Sequence, residues 1–282
     1  MYSIEIENSK GEKLALTSDP SYSVTKVDGL YPPSAAINLS TVAASDGGRY
    51  NSSRANTRNI VIELCIEAPV EENRIKLYKY VKSKEKIRFY YTNDTRNVYI
   101  DGYVESMPIE YFEMKQKVQI SIICPDPYFK DVIESLVDFA SVTSLFKFPF
   151  SIEESGVEMS RLEVGVEMPI VNQGDVRTGV TITLRSSGLV LNPKIYNLTT
   201  GESFILDLEM NTGDVITINT NTGKKSVRMV HNGVETNVIN DLRHGSKWLQ
   251  LEPEDNIFTY TADEFPHNLS CQFLVHNKYE GV

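Results

Sequence analysis

Few side chains in this sequence have the types and spacing that catalysis or metal binding requires. The four histidines lie in the second half of the chain, and none has the i, i+2 or i, i+4 neighbour of a local metal pair: His231, His244, His267 and His276. Cys271 and His276 have the chemistry of a nucleophile and its base, but strand alternation places them on opposite faces. Ser144 and Lys147 match a Ser-X-X-Lys pattern whose partner motifs are missing. We therefore expect neither an enzyme nor a bound metal or cofactor.

Three aromatic residues of the second half suggest an alternative function, the binding of a carbohydrate. Phe258 and Tyr260 share one face of a predicted strand, and Trp248 lies between a turn at Gly245 and a strand-like segment. Sugars stack on aromatic faces of this kind in β-sandwich lectins. Such residues belong to the core more often than to a binding site, and we favour the core role. A module that contacts host cell-surface polysaccharide is the alternative.

An arginine-bearing segment lies at residues 44–58. It contains almost no core-forming residues, and a loop of this length inside a compact domain is usually functional or mobile. Arginine placed among Gly, Ser and Asn suits a protein–protein contact, because its guanidinium binds carbonyls and carboxylates. The candidate subunit-interface residues are Gly47, Gly48, Arg49, Tyr50, Arg54 and Arg58.

Composition limits the class of protein. With 282 residues the chain is long enough for about two domains, and 41% apolar with 23% charged residues is typical of a soluble globular protein. The formal charge of −10 argues against a broad nucleic-acid-binding surface, which would need clustered Lys and Arg. No secretion signal or membrane-spanning apolar run is visible. The odd number of cysteines, at positions 65, 124 and 271, indicates buried free thiols in a reducing compartment.

Most of the first half has the alternating apolar and polar pattern of β-strands, with one exception. Ile60, Ile62, Leu64 and Ile66 fall on one face of a predicted strand, as do Val118, Ile120 and Ile122 on another. The exception is 71–83, where Ile75, Leu77, Tyr78 and Val81 form the stripe of an amphipathic helix that covers a sheet. Pro125 and Pro127 end the last strand and mark a stiff exit from the domain.

The second half predicts a separate β-domain. After a segment at 131–160 with weak strand signals, in which Val132, Ile133, Leu136 and Val137 suit a short helix, strands recur at short intervals between Gly- and Asn-rich turns. This pattern is typical of a β-sandwich or jelly roll. We therefore assign residues 1–130 to an N-terminal β-domain, 131–160 to a connector and 161–282 to a C-terminal β-sandwich domain.

Several short motifs resemble, in order and spacing, those of siphophage distal tail proteins. In the first half they are Asp46-Gly-Gly-Arg-Tyr-Asn51, Arg58-Asn-Ile-Val-Ile62, the Leu77-Tyr78 helix, Tyr99-Ile-Asp-Gly-Tyr-Val-Glu105 and Cys124-Pro-Asp-Pro-Tyr-Phe129. In the second half they are Asn192-Pro-Lys-Ile-Tyr-Asn197, Thr200-Gly-Glu202 and Gly213-Asp214 followed by Ile216-Thr-Ile-Asn-Thr220. The resemblance covers essentially the whole chain.

This resemblance implies a mainly β fold and a structural role. It implies an N-terminal β-barrel-like domain with one amphipathic helix that assembles into a hexameric ring, and a C-terminal galectin-like β-sandwich. The ring would join the tail tube protein to the tail-tip hub protein and leave a channel for DNA and the tape-measure protein, with no specific DNA binding and no membrane insertion. The sandwich would dock peripheral or receptor-binding proteins. The expected location is the virion tail tip, assembled in the cytoplasm of the bacterial host.

Limited proteolysis tests the predicted domain boundary. The proline-bounded exit and the weak strand signals beyond it predict that a protease cuts first between residues 129 and 161, or within 44–58. Mass spectrometry of the first fragments locates the cuts. First cuts inside 180–230 would place the boundary elsewhere.

Overall fold

The chain divides into two compact units. The computed structural model describes residues 2–41, 46–112, 115–139, 142–144, 160–162 and 167–282. The first unit comprises Met1–Ile133 together with Lys278–Val282, and the second comprises Glu134–Asn277. The sequence pattern predicts that 278–282 belongs to the C-terminal domain, whereas the structure groups this segment with the first unit.

The first unit is built from antiparallel strands and one helix. In chain order these are β1 (Ser3–Glu7), β2 (Lys13–Ala15), β3 (Tyr22–Asp28), β4 (Ala35–Ser40), β5 (Arg49–Ala55), β6 (Arg58–Ile66), α1 (Val70–Tyr80), β7 (Lys86–Thr92), β8 (Asn97–Ser106), β9 (Lys117–Cys124) and β10 (Phe129–Asp131). The main sheet has the order β2-β1-β7-β8-β9-β6-β3, and β10 pairs with β8. β4 and β5 form a separate two-stranded sheet.

The main sheet curls around a core formed by alternating residues. The predicted inward residues of β6 and β9 are buried, among them Ile60, Ile62, Ile120 and Ile122. The curl brings β1 and β3 close enough to line one open groove of about 230 Å³. The mainly β fold and the alternation of these strands are therefore confirmed.

The predicted helix forms, but the face that it buries differs from the predicted face. Leu77 is fully buried and Asn73 nearly so, whereas Ile75 is 53% exposed. The Asn73 side chain donates to the Glu67 carbonyl, and the Asn73 carbonyl accepts from the Tyr22 hydroxyl. These two hydrogen bonds let a polar residue occupy the buried face, which apolar spacing alone assigned to Ile75.

The described part of the second unit contains two large antiparallel sheets and the two-stranded pair β12–β13. Its strands are β11 (Ser135–Phe139), β12 (Val142–Ser144), β13 (Ser160–Leu162), β14 (Met168–Asn172), β15 (Thr178–Ser186), β16 (Val190–Asn197), β17 (Glu202–Ile205), β18 (Glu209–Met210), β19 (Val215–Asn219), β20 (Ser226–His231), β21 (Val234–Asn237), β22 (Gln250–Leu251), β23 (Glu254–Glu264) and β24 (Leu269–Val275). Two short 3-10 helices span Ile239–Asp241 and Pro266–Asn268. The strand orders are β11-β24-β15-β19-β20-β21 and β14-β23-β16-β17, with β22 on β15 and β18 on β16.

The inner faces of these two sheets share one core. Phe258 of β23 and Phe273 of β24 meet edge to face, with ring centroids 5.0 Å apart, and both are buried. Side chains from two sheets that interdigitate in this way define a β-sandwich.

The connector contains strands where a short helix was expected. Leu136 pairs with Leu274 of β24, and Leu136 is exposed while Val137 packs against the core. The open edge of β24 offers hydrogen bonds to a whole strand, and this tertiary pairing overrides the local apolar spacing. Residues 140–141 and 145–159 of the predicted connector lie outside the described residues.

The chain returns to the first unit through β25 (Lys278–Tyr279), which pairs with β10. Lys278 also lies 3.2 Å from the Asp126 carboxylate, and the Tyr279 hydroxyl donates to Asp131. Burial raises the pKa of Asp126, but the ammonium groups of Lys130 and Lys278 outweigh it and leave the pKa below its ordinary value. These contacts explain why 278–282 belongs to the first unit.

The ion pair between Asp19 and Lys76 of α1 predicts a pH-dependent stability. The Lys76 ammonium, 2.7 Å away, and the Ser21 amide lower the pKa of Asp19 to about 2. Because the folded pKa is depressed, the contribution is present above the ordinary value of 3.8 and is lost as the pH falls through about 2. We expect Asp19→Asn to reduce the free energy of unfolding by about 0.5–1 kcal/mol at pH 6, and this difference to shrink toward zero near pH 2.

Urea unfolding followed by circular dichroism at several pH values measures this difference. Lys76→Met should remove the part of the pH dependence that comes from the ion pair and leave the part that comes from Ser21, so the double variant should lose less than the sum of the two single losses. A difference that persists undiminished at the acid end would mean that Asp19 stabilises the fold by something other than its charge.

Candidate subunit-contact site

Within the predicted segment 44–58, Arg49–Ala55 forms β5, which pairs with β4 in an exposed two-stranded sheet that we call the arm. Its register runs from Ala35 paired with Ala55 to Ser40 paired with Arg49, with a bulge after Asn38. The prediction of a loop is therefore wrong for Arg49–Ala55. The backbone hydrogen bonds of this polar stretch are made with β4, a partner that a local pattern does not reveal.

The two faces of the arm differ in chemistry. Ile37 pairs with Ser53 and Leu39 with Tyr50, so one face carries three large apolar side chains. These side chains are about 60% exposed: Ile37, Leu39 and Tyr50. The opposite face carries the pairs Ala36–Arg54, Asn38–Ser52 and Ser40–Arg49. The arm is thus an amphipathic ribbon with an apolar face and a basic face.

Both faces of the arm are solvent-exposed, and this is an unfavourable state for an isolated ribbon. A two-stranded hairpin is marginally stable alone, and clustered exposed apolar residues usually mark a contact surface. Aromatic residues and arginine are also enriched at interfaces. The arm therefore has the composition and the exposure of a surface that another protein covers.

The structure brings together five of the six predicted contact residues. Gly47 and Gly48 directly precede β5, and Gly47 has φ +84°, a conformation that glycine adopts without strain. Arg49 and Arg54 lie on the basic face and Tyr50 on the apolar face. Sequence reasoning missed Ile37 and Leu39, although the alternation from Ala35 to Leu39 was a usable signal.

Arg58 is not an exposed contact residue, and this part of the prediction is wrong. Its side chain is buried, with 4% exposure, and lies over the Phe129 ring at 4.6 Å. The guanidinium donates to four backbone carbonyls: Gly29, Tyr31, Pro127 and Glu280. Burial lowers the pKa of Arg58 from its ordinary value, but an arginine remains charged in a protein. Arg58 is a structural residue where the arm meets the sheet.

The aromatic residues proposed for carbohydrate binding do not form an exposed platform. Phe258 and Tyr260 are buried in the sandwich core, and burial raises the pKa of Tyr260 to about 12. Trp248 is half-buried, with its ring edge-on to Phe204 at 5.5 Å and the Lys225 ammonium 5.5 Å from its ring. Phe258 and Tyr260 therefore occupy the core, which is the role that the sequence favours.

Two of the four histidines and all three cysteines lie in ordinary structural settings. His231 pairs with Asp214 at 2.7 Å and His276 with Glu134 at 2.9 Å. The three cysteines are buried and free, and burial raises the pKa of Cys124 to about 12. Within the described ranges no three His, Cys, Asp or Glu side chains gather closely enough for a metal ion. In the same ranges, no helix has the length and hydrophobicity needed to cross a bilayer.

Comparison with known proteins identifies the relatives of this fold. Residues 173–273 match a family described as siphovirus-type tail component, C-terminal domain. The predicted resemblance to siphophage distal tail proteins is confirmed. The crystal structure of the phage SPP1 Dit protein, described as a paradigm of the hub adsorption apparatus in phages that infect Gram-positive bacteria, superimposes with a TM-score of 0.71 at 15% identity and covers 99% of both chains.

Two structures of the phage P2 baseplate in its activated conformation also contain a chain with this fold. The structure with Ca aligns with a TM-score of 0.55, and the structure with Sr aligns with a TM-score of 0.56. Both alignments have 11% identity and cover 100% of each chain. No curated protein sequence matches the chain.

The two roles of Phe258 make opposite predictions. As a core residue, Phe258→Ala should cost about 3–5 kcal/mol of the unfolding free energy of the sandwich. The side chain of the neighbouring Ile257 is 38% exposed. Ile257→Ala should therefore lower the unfolding free energy by about 1 kcal/mol or less. Urea unfolding followed by the fluorescence of Trp248, the single tryptophan, measures both. A stable Phe258→Ala variant with lost polysaccharide binding would restore the carbohydrate hypothesis.

Proposed function

We propose that this chain is a structural component of a siphophage or phage-like tail tip, in which the first unit forms a hexameric ring through the arm. The ring joins the tail tube protein to the tail-tip hub protein, and the galectin-like second unit docks peripheral or receptor-binding proteins. The observation that carries the proposal is an exposed amphipathic arm on a chain that superimposes over 99% of its length on the SPP1 Dit protein. The role is structural and not enzymatic.

Ring closure requires a heterologous interface, in which one surface of a subunit meets a different surface of its neighbour. A projecting arm suits this requirement, since it reaches away from its own subunit. The apolar face supplies dry contact area through Ile37, Leu39 and Tyr50. The charges of the basic face orient the two subunits and raise their association rate more than they raise the affinity.

Charge favours a second copy of the chain as the partner of the arm. Residues 35–55 contain two arginines and one aspartate, whereas the whole chain has a formal charge of −10. A basic arm is therefore attracted to the acidic body of an identical subunit. The same negative charge suits a channel through which DNA and the tape-measure protein pass without specific binding.

Two sets of substitutions on the arm test its role. Ile37→Ser with Leu39→Ser removes the apolar face, and Arg49→Ser, Tyr50→Ser and Arg54→Ser removes the basic face and one aromatic. Both variants should fold, because all five side chains lie outside the core. We expect each to weaken assembly about 10-fold or more in dissociation constant, which is about 1.4 kcal/mol. The triple variant should also have a smaller dependence on salt.

Mass by light scattering across a concentration series measures assembly, and circular dichroism reports folding. Val234→Ser, which removes a similarly exposed apolar side chain from β21, is the matched control and should assemble normally. If both arm variants keep the wild-type assembly state at every concentration, the arm is not the ring contact.

A further inference from the structure

The side chain of Arg58 joins the two chain segments that connect the arm to the main sheet, which we call the root of the arm. Residues 29–34 lead from β3 into β4, and residues 56–58 lead from β5 into β6. Arg58 donates through Nη1 to the carbonyls of Gly29 and Tyr31, the latter at 2.7 Å. The Asn56 amide donates to the Ser34 carbonyl at 2.8 Å and closes the base of the hairpin. The direction in which the arm leaves the sheet is therefore set at Arg58.

Residues 280–282 complete this root. Arg58 Nη2 donates to the Glu280 carbonyl, and the Val282 amide donates to the Leu30 carbonyl at 3.1 Å. Gly281 packs so closely that an added Cβ would lie 3.2 Å from the Leu30 oxygen and 3.3 Å from Pro32 Cδ. Glu280 thus contacts Arg58, and Gly281 and Val282 contact the segment that enters the arm.

The pairing of β25 with β10 holds the segment 280–282 in a fixed position next to the root of the arm. Phe129 and Lys130 of β10 pair with Tyr279 and Lys278, and Tyr279 is buried beneath the Arg96 guanidinium, which lies 3.8 Å from its ring. Glu280 leaves this pairing directly and reaches Arg58. The position of 280–282 is therefore fixed by the first unit and not by solvent-exposed contacts.

Arginine is the residue type that this arrangement requires. Its planar fork presents five N–H donors, and here they reach carbonyls of three chain segments that are distant in sequence. Lysine has one nitrogen and cannot span these acceptors. Loss of the fork leaves buried carbonyls without donors, which destabilises the local backbone.

We propose that Arg58 and residues 280–282 form a clasp that fixes the orientation of the arm. Arg58 acts as a positioning residue for the contact surface. The clasp contains residues from both sides of the second unit in sequence, so the arm acquires its orientation only after the second unit has been synthesised. The structural part of this proposal is independent of assembly, whereas its consequence for assembly rests on the proposed function.

Spin labels on the arm and on the sheet measure the orientation directly. Cysteines introduced at exposed Asn51 and Lys117 can be labelled selectively because the three native cysteines are buried. The distance distribution is measured in the Ile37→Ser, Leu39→Ser background, so that a neighbour does not hold the arm. A second label pair at exposed Lys10 and Lys117 reports the sheet itself.

We expect Arg58→Lys and Gly281→Val each to broaden the arm-to-sheet distribution about twofold or more, since local order is lost at the root. The distribution within the sheet should keep its width, and Arg54→Lys, on the exposed arm, should change neither. Trp248 fluorescence reports the second unit separately.

A wild-type width in both variants would overturn the clasp, as would equal broadening of the two label pairs. If Arg58→Lys fails to fold, Gly281→Val decides, because it leaves the Arg58 side chain in place. Failure of the proposed ring contact is a distinct result, since it is measured by light scattering on the arm variants.

Discussion

A guanidinium keeps its charge inside a protein, so a buried arginine must find acceptors for its N–H groups. Arg58 finds them in the carbonyls of Gly29, Tyr31, Pro127 and Glu280, and it rests on the Phe129 ring. The entry to the arm, the turn after β9 and the segment 278–282 therefore meet at one cation. The two chemically different faces of the arm have a defined orientation because this contact holds its root.

The parts of the fold that follow from neighbouring residues could be predicted from the sequence. Ile60, Ile62 and Leu64 alternate with polar residues, and they are buried because a strand has a period of two. The position of α1 followed from its charges and spacing. Its buried face did not, because the side-chain and backbone hydrogen bonds of Asn73 depend on Glu67 and Tyr22, which only the folded chain brings close.

The candidate contact site is only partly predictable for the same physical reason. Arg49, Tyr50 and Arg54 were identified by residue type, which is a local property. Arg58 has the same residue type but is buried, and its acceptor at Glu280 lies 222 positions away in sequence. Ile37 and Leu39 look like ordinary core residues until β4 is seen to pair with β5 alone. Phe258 occupies the core, which is the role that the sequence favours, because the second sheet covers its face.

The pairing of β10 with β25 has a consequence for the modularity of the chain. Lys130 and Lys278 are cross-strand partners, so the polypeptide leaves the first unit and returns to it at adjacent points. Antiparallel partners of this kind are about 5 Å apart at their Cα atoms. The first unit thus imposes one geometric condition on the inserted domain, namely that its two ends lie side by side. A recombination event that exchanged the intervening domain for another with adjacent termini would preserve the host scaffold and change only what that scaffold displays.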